Sequence, residues 1–402
     1  MYILTRYVVW EVLKTFVAAL VGLTLMVTLG MGFSEGYKMG LPTLVMLRTM
    51  PFMMPEMLGI TIPVAMLYAV SSVFGRMTGA NEIVAIKSLG INPMVVVWPV
   101  VVLAGFLSLG TVWMYELAAT WSRPSVERTV CESFEEIAYG MLQKNHSLEG
   151  ENFPFSITVK RVEGRKLIQP TIILKSQPGH PPTTIAAEEA ELWTDRSNPA
   201  RPVLRLRCVD SRVDTEGIQL FNPGEWLPPG IPIVVPPPDR HHRDWVAMWD
   251  IPRSIAELRA EIDSLKRQLE GARELRESFQ KANKILGIVE PHDNVERIAD
   301  QIADRQFKIL RLKTEPYRRW SNGFTCLCFT LIGIPVAMLW RHADALTNFF
   351  VCFLPILALY YPLLMLSENL STSGTLPPIA FWMSNVVLTI PAVALLRWIN
   401  NH

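Results

Sequence analysis

The chain has 402 residues, half of them hydrophobic, a formal net charge of +1 and only 19% charged residues. That balance excludes a disordered chain and leaves no basic surplus for gripping nucleic acid through its phosphates. The apolar residues are concentrated in about the first 120 positions and about the last 85, and the middle is polar and rich in Pro, Arg, Glu and Asp.

A helix needs ~20 apolar residues to cross ~30 Å of hydrocarbon. Six stretches qualify: 9–33, 51–74, 94–117, 320–340, 346–366 and 380–399. The first follows Arg6 and is longer than the roughly 7–15 apolar residues of a signal-peptide core, so it is expected to persist as a span. Cations in short loops set the orientation. Arg6, Arg76, Lys87, Arg341, His342 and Arg397 fall on one side; the opposite short loops hold Lys38 and Arg48 in one case and no Lys or Arg across 367–378. The termini are therefore expected in the cytoplasm and the insert from about 120 to 319 in the periplasm.

Between the second and third spans lies GRMTGANEIVAIKSLGIN, residues 75–92, a polar interruption with its own boundaries. Thr78 or Asn81 can cap a helix whose first turn holds Glu82, favourably placed at the positive end of the dipole. Gly90 suits the left-handed residue after a helix, Ile91 can fold back on Ile86, and Asn92-Pro93 prevents continuation. The spacing predicts a helix over 79–89, too short to span, lying along the cytoplasmic face with Ile83, Ile86 and Leu89 exposed among charges. It reads either as an interfacial helix resting in the headgroups or as a peg received by a cytoplasmic motor.

The insert begins as β structure. Residues 155–162 alternate into a Glu163-Gly164-Arg165 turn and on through 166–174, followed by strands over 183–193 and 203–213. This predicts a sandwich or jellyroll, ended by the Pro-rich run 227–239. Its second half is helical: Ile255, Leu258, Ile262, Leu265 and Leu269 share a stripe, and Ser254 with Glu257 forms a capping box. After a break at 287–291, Asp293 and Glu296 start a second helix striped by Val295, Ile298 and Ile302. The resulting hairpin is a self-packed spacer or a docking arm.

The fold class is thus a membrane α-helical protein with six transmembrane helices in a 3+3 order, a periplasmic β-jellyroll-like domain and a helical hairpin. Its parts are 1–119 (three helices and the 79–89 helix), 120–250 (β domain), 251–318 (hairpin) and 319–402 (three helices). Of five cysteines, Cys131 and Cys208 fall in the oxidising insert, where a disulfide is permitted and two separate buried thiols are the simpler reading. Cys326, Cys328 and Cys352 lie in spans without metal-ligand spacing.

Glu56, one turn inside the second span beside Pro55, is a functional candidate because intramembrane charge is costly, although a snorkelling carboxylate at the helix start accounts for it more simply. Glu11 and Lys14, spaced i, i+3, read as an ion pair, and Glu116 as an interface residue. No G-x-x-x-x-G-K-[ST] occurs, so ATP is not hydrolysed in a P-loop of this chain. No H-E-x-x-H or G-x-S-x-G supports an enzyme, and His241-His242 beside Asp239 and Asp244 read as an exposed loop rather than a metal site.

Pro55-Glu56, Pro63, Gly75-Arg76, Asn81-Glu82-Ile83 and Gly90-Ile91, in that order, resemble the LptF/LptG (YjgP/YjgQ) family of lipopolysaccharide export permeases. The likeness extends to residues 2–14, to Thr184-Ile-Ala-Ala-Glu-Glu-Ala190, and to Arg318-Arg319 leading into Leu331-Ile-Gly-Ile-Pro-Val-Ala337. The resemblance implies a permease subunit that pairs with a second six-span relative, binds a dimeric LptB-like ATPase through the helix between spans two and three, and extracts lipopolysaccharide. Its jellyroll would pass the lipid to LptC/LptA-like bridge proteins. No cofactor and no nucleic acid is implied. The ATPase-coupling residues would be Glu82, Ile83, Ile86 and Lys87. Family members tend to carry basic residues near the outer half of the first span, where this chain has Leu29-Gly-Met-Gly-Phe-Ser34. The lipid-contact candidates are therefore Lys38, Arg48 and Glu56.

Overall fold

The computed structural model describes residues 2–38, 43–132, 134–148, 155–174, 183–195, 203–215, 218–225, 232–234, 246–286, 293–340 and 345–401. The helices in chain order are α1 (Tyr2–Lys38), α2 (Thr43–Gly79), α3 (Glu82–Ser88), α4 (Met94–Leu117), α5 (Arg123–Glu132), α6 (Phe134–Asn145), α7 (Ile251–Leu286), α8 (Asp293–Leu339), α9 (Ala345–Thr372) and α10 (Met383–Asn401). A π-helical turn (Ala118–Ser122) follows α4, and short 3₁₀ turns (Met248–Asp250 and Pro378–Trp382) precede α7 and α10. Six helical segments are long and apolar enough to cross a membrane, lying in α1, α2, α4, α8, α9 and α10. The chain divides into two compact units.

The first unit comprises Met1–Met26, Met54–Ser122 and Arg243–His402, and holds most of the spanning helices. In lipid, helices associate through close packing and interhelical hydrogen bonds, because the surrounding medium is as apolar as their side chains. Small residues accordingly mark the contacts. A Cβ on Gly323 of α8 would lie 2.2 Å from Val112 Cγ2 on α4, and one on Gly333 would lie 2.8 Å from Leu67 Cδ1 on α2. Hydroxyls supply the polar links: Thr24 with Thr61 at 2.9 Å, Thr325 with Tyr360 at 2.7 Å, and Ser321 donating to the Phe381 carbonyl at 2.7 Å.

The hairpin belongs to this unit. Ile251, Leu258 and Ile262 of α7 close a core with Ile302, Ile309 and Leu312 of α8, and Arg305 reaches Glu261 across the pair at 3.0 Å. The hairpin arm and the fourth span are not separate helices: α8 runs unbroken from one into the other. Nor does Ser254 cap the first arm. The 3₁₀ turn lets α7 begin at Ile251, so Ser254 lies inside the helix and Glu257 pairs with Arg253 at 3.1 Å. The break at 287–291 lies outside the described residues.

The second unit comprises Val27–Met53 and Arg123–His242. Among the described residues, nine strands form one antiparallel sheet that curls into a half-barrel: β1 (Ser147–Leu148), β2 (Phe155–Thr158), β3 (Arg161–Glu163), β4 (Lys166–Ile168), β5 (Thr171–Leu174), β6 (Thr183–Asp195), β7 (Val203–Thr215), β8 (Ile218–Glu225) and β9 (Pro232–Val234). The expected hairpin over 155–174 exists in a single register, from Phe155 opposite Leu174 to Glu163 opposite Lys166. Gly164, at φ +63, opens its two-residue turn, a conformation that glycine adopts without steric cost.

Gln169, at φ +49, kinks the returning strand and divides each arm in two, while β6 pairs with both halves. The Thr184–Ala190 motif thereby occupies a central strand. The Pro-rich run does not simply end the β region, because β9 lies within it and pairs with β7. The buried face holds Ile157, Leu167, Ile172, Ile185, Leu192 and Cys208, covered by Ala138 and Leu142 of α6. Tyr139 fastens that helix, donating to the Arg165 carbonyl at 2.6 Å and accepting the Leu192 amide at 2.9 Å.

Candidate functional site

Helix α3 has a well-determined end. The Gly90 amide bonds to the Lys87 carbonyl at 2.9 Å and the Ile91 amide to the Ile86 carbonyl at 3.2 Å, a Schellman termination with Gly90 at φ +73. Its start is formed differently from the expectation. Asn81 is itself left-handed, at φ 57, and its side chain makes no cap bond, while the Thr78 hydroxyl bonds back to the Phe74 carbonyl at 2.8 Å. The helix is consequently seven residues, shorter than the predicted 79–89.

Its apolar face also points elsewhere than expected. Ile83 and Ile86, each 8% exposed, pack into the spanning-helix core with Val8 and Val12 of α1, Val96 and Val97 of α4 and Leu396 of α10. Of the three residues expected to be exposed, only Leu89 is, at 75%. Glu82, Val84 and Lys87 join it on the outside, and Lys87 Nζ donates to the Ile399 carbonyl of α10 at 3.2 Å. The helix is thus keyed into the bundle from below and tied to α10 at its side. Nearby, Glu11 accepts from Lys14 at 2.8 Å, the expected pair, and from Arg76 of α2 at 3.0 Å.

A second polar cluster lies at the hairpin end of the same unit. Arg319, 1% exposed, donates from Nη1 to Glu116 Oε2 at 2.6 Å, from Nε to Glu315 Oε1 at 3.0 Å and from Nη2 to the Val246 carbonyl at 2.6 Å. The other Glu116 oxygen accepts the Met248 amide at 3.0 Å. Arg318 meets Glu315 at 2.9 Å and Glu368 of α9 at 3.5 Å. Glu116 is therefore a buried partner rather than a plain interface residue. Reading the sequence missed Glu315, although its i+3 and i+4 spacing to Arg318 and Arg319 is a local signal that could have found it.

Glu56 is half-buried in α2 and Arg48 is exposed near the start of that helix. The side chain of Lys38 and that of Cys131 lie outside the described residues, as do Asp239, His241, His242 and Asp244. Cys208 is a free thiol, pushed by burial up to about 11. Among the described residues no three His, Cys, Asp or Glu side chains converge to hold a metal.

Comparison with individual curated proteins gives no match. Comparison with protein families gives one over nearly the whole chain: residues 6–398 match the family described as lipopolysaccharide export system permease LptF/LptG.

Proposed function

Because the chain belongs to the LptF/LptG family of lipopolysaccharide export permeases, we propose that it is the non-catalytic transmembrane subunit of an ATP-driven exporter. The subunit extracts lipopolysaccharide, or a related lipid, from the inner membrane. It pairs with a second six-span chain, both termini lie in the cytoplasm, and the β domain passes lipid in the periplasm to jellyroll bridge proteins. Energy arrives from a separate ATPase dimer received at α3.

The observation that carries this reading is the way α3 is seated. Ile83 and Ile86 are locked into the bundle core, Lys87 is tied to α10, and Glu82, Val84 and Leu89 are left outward. A push on the outer residues is therefore transmitted to α1, α4 and α10 through the buried ones, because close-packed interiors shift as units rather than deform. Ile83 and Ile86 act in coupling as transmitters, while Glu82 and Lys87 contact the motor. Lys38, Arg48 and Glu56 are the positions proposed to meet lipid.

Purifying the tagged chain from its own membranes tests this. A nucleotide-binding subunit and a second six-span chain should come with it, and Leu89→Asp should lose the first while keeping the second. Recovery of neither with the unsubstituted chain would replace the transporter reading with that of a membrane scaffold.

A further inference from the structure

Trp249 stands out in the foot of the hairpin. It is 69% exposed, whereas its neighbours Val246 and Met248 pack against the hairpin core and Ala247 is buried. The turn that carries it is also fixed in place. The Val246 carbonyl accepts from Arg319 at 2.6 Å and the Met248 amide donates to Glu116 at 3.0 Å, so the indole projects from a clamped backbone.

The clamp sets its height. Glu116 follows exposed Trp113 by three residues and precedes exposed Trp121 by five, and Arg319 directly precedes exposed Trp320. At ~1.5 Å per helical residue, these tryptophans lie within one band around the charged cluster. Trp concentrates at the membrane boundary because its ring is apolar and its N–H needs a polar partner, a combination that suits the interfacial layer. Asp250 and Arg253, which continue the chain from Trp249, are exposed and suited to the water side.

We propose that the Met248–Asp250 turn is a membrane-surface anchor, with the Trp249 indole seated among lipid headgroups on the hairpin side of the bilayer. The hairpin foot is then held twice, by Arg319 and Glu116 within the bundle and by the bilayer outside it, and serves as a fixed footing for α7.

The test uses the full chain in nanodiscs of phosphatidylethanolamine and phosphatidylglycerol. A nitroxide on Trp249→Cys is compared with one on Trp320→Cys and one on Arg267→Cys, an exposed position along α7; the unsubstituted protein gives the labelling background. The Trp249→Cys label should match Trp320→Cys, open to oxygen and several-fold less open to a soluble nickel chelate than Arg267→Cys. Nickel access equal to that at Arg267→Cys would overturn the anchor, and so would exclusion of both reagents, which would mean that protein covers the site. A lipid brominated near the headgroup gives an independent check with Trp249→Phe: it should quench the unsubstituted protein more than the variant, and equal quenching would contradict the proposal.

Discussion

Arg319 Nη1 lies 2.6 Å from Glu116 Oε2, joining α8 to α4 across 203 positions of sequence. The same guanidinium holds the Val246 carbonyl, and the same carboxylate holds the Met248 amide. The stretch that leaves α4 and the stretch that leads into α7 are thus pinned to one ion pair.

Removing one partner of a buried pair leaves the other charge uncompensated, at a cost of about 3–5 kcal/mol. Arg319→Met should therefore strongly lower the unfolding midpoint of the detergent-solubilised protein. An exposed pair is worth at most about 1 kcal/mol, so Arg253→Met, which removes only the link to Glu257, should leave the midpoint almost unchanged. Equal effects of the two would mean that the buried cluster does not hold the hairpin foot.

The α4–α8 contact depends on the absence of a side chain at Gly323, where a Cβ would meet Val112 Cγ2 at 2.2 Å and Val112 backbone atoms at 3.1 Å and 3.2 Å. Overpacking of this kind costs about 1–3 kcal/mol. Gly323→Ala should destabilise the protein in thermal unfolding, with only partial recovery in combination with Val112→Ala, because the backbone contacts remain. Gly110, with nothing within 4 Å of a built Cβ, is the control. Gly110→Ala should be neutral or slightly stabilising.

Cys208 offers a pH test of the β domain. Burial pushes its thiol up to about 11 from 9.0, so the folded protein holds the proton more tightly than the unfolded chain does. Its contribution to stability is complete below about pH 9 and is lost as the pH rises toward 11. Near pH 8 the folded thiol should resist maleimide and react only on unfolding in denaturant. Rapid modification of Cys208 in the native protein, located by peptide mass mapping, would contradict the burial.

What could be read from the sequence follows the range of each interaction. The end of α3 was legible because Gly90, Ile91, Asn92 and Pro93 specify it locally. The medium its apolar face meets was not, since Ile83 and Ile86 three residues apart serve a headgroup layer, a partner or the bundle equally well. The β hairpin was legible from alternation and the Gly164 turn, but its register was not, because Glu163 pairs with Lys166 as part of the strand rather than lying in a three-residue turn, and the kink at Gln169 needs a positive φ that a non-glycine residue gives no sign of. Glu315 was missed, although its i+3 and i+4 spacing to Arg318 and Arg319 is a local signal. For Glu116 there was none, because nothing local marks a partner 203 positions away.

The central claim is that α3 receives work from an ATPase and passes it to the spans through Ile83 and Ile86. The direct measurement is lipid-stimulated ATP hydrolysis by the assembled complex in nanodiscs, comparing the unsubstituted chain with Glu82→Arg, whose side chain is exposed and outside the bundle core. Stimulation should fall several-fold in Glu82→Arg while the unfolding midpoint stays the same. A Glu82→Arg complex that assembles and is stimulated to the full extent would contradict the account.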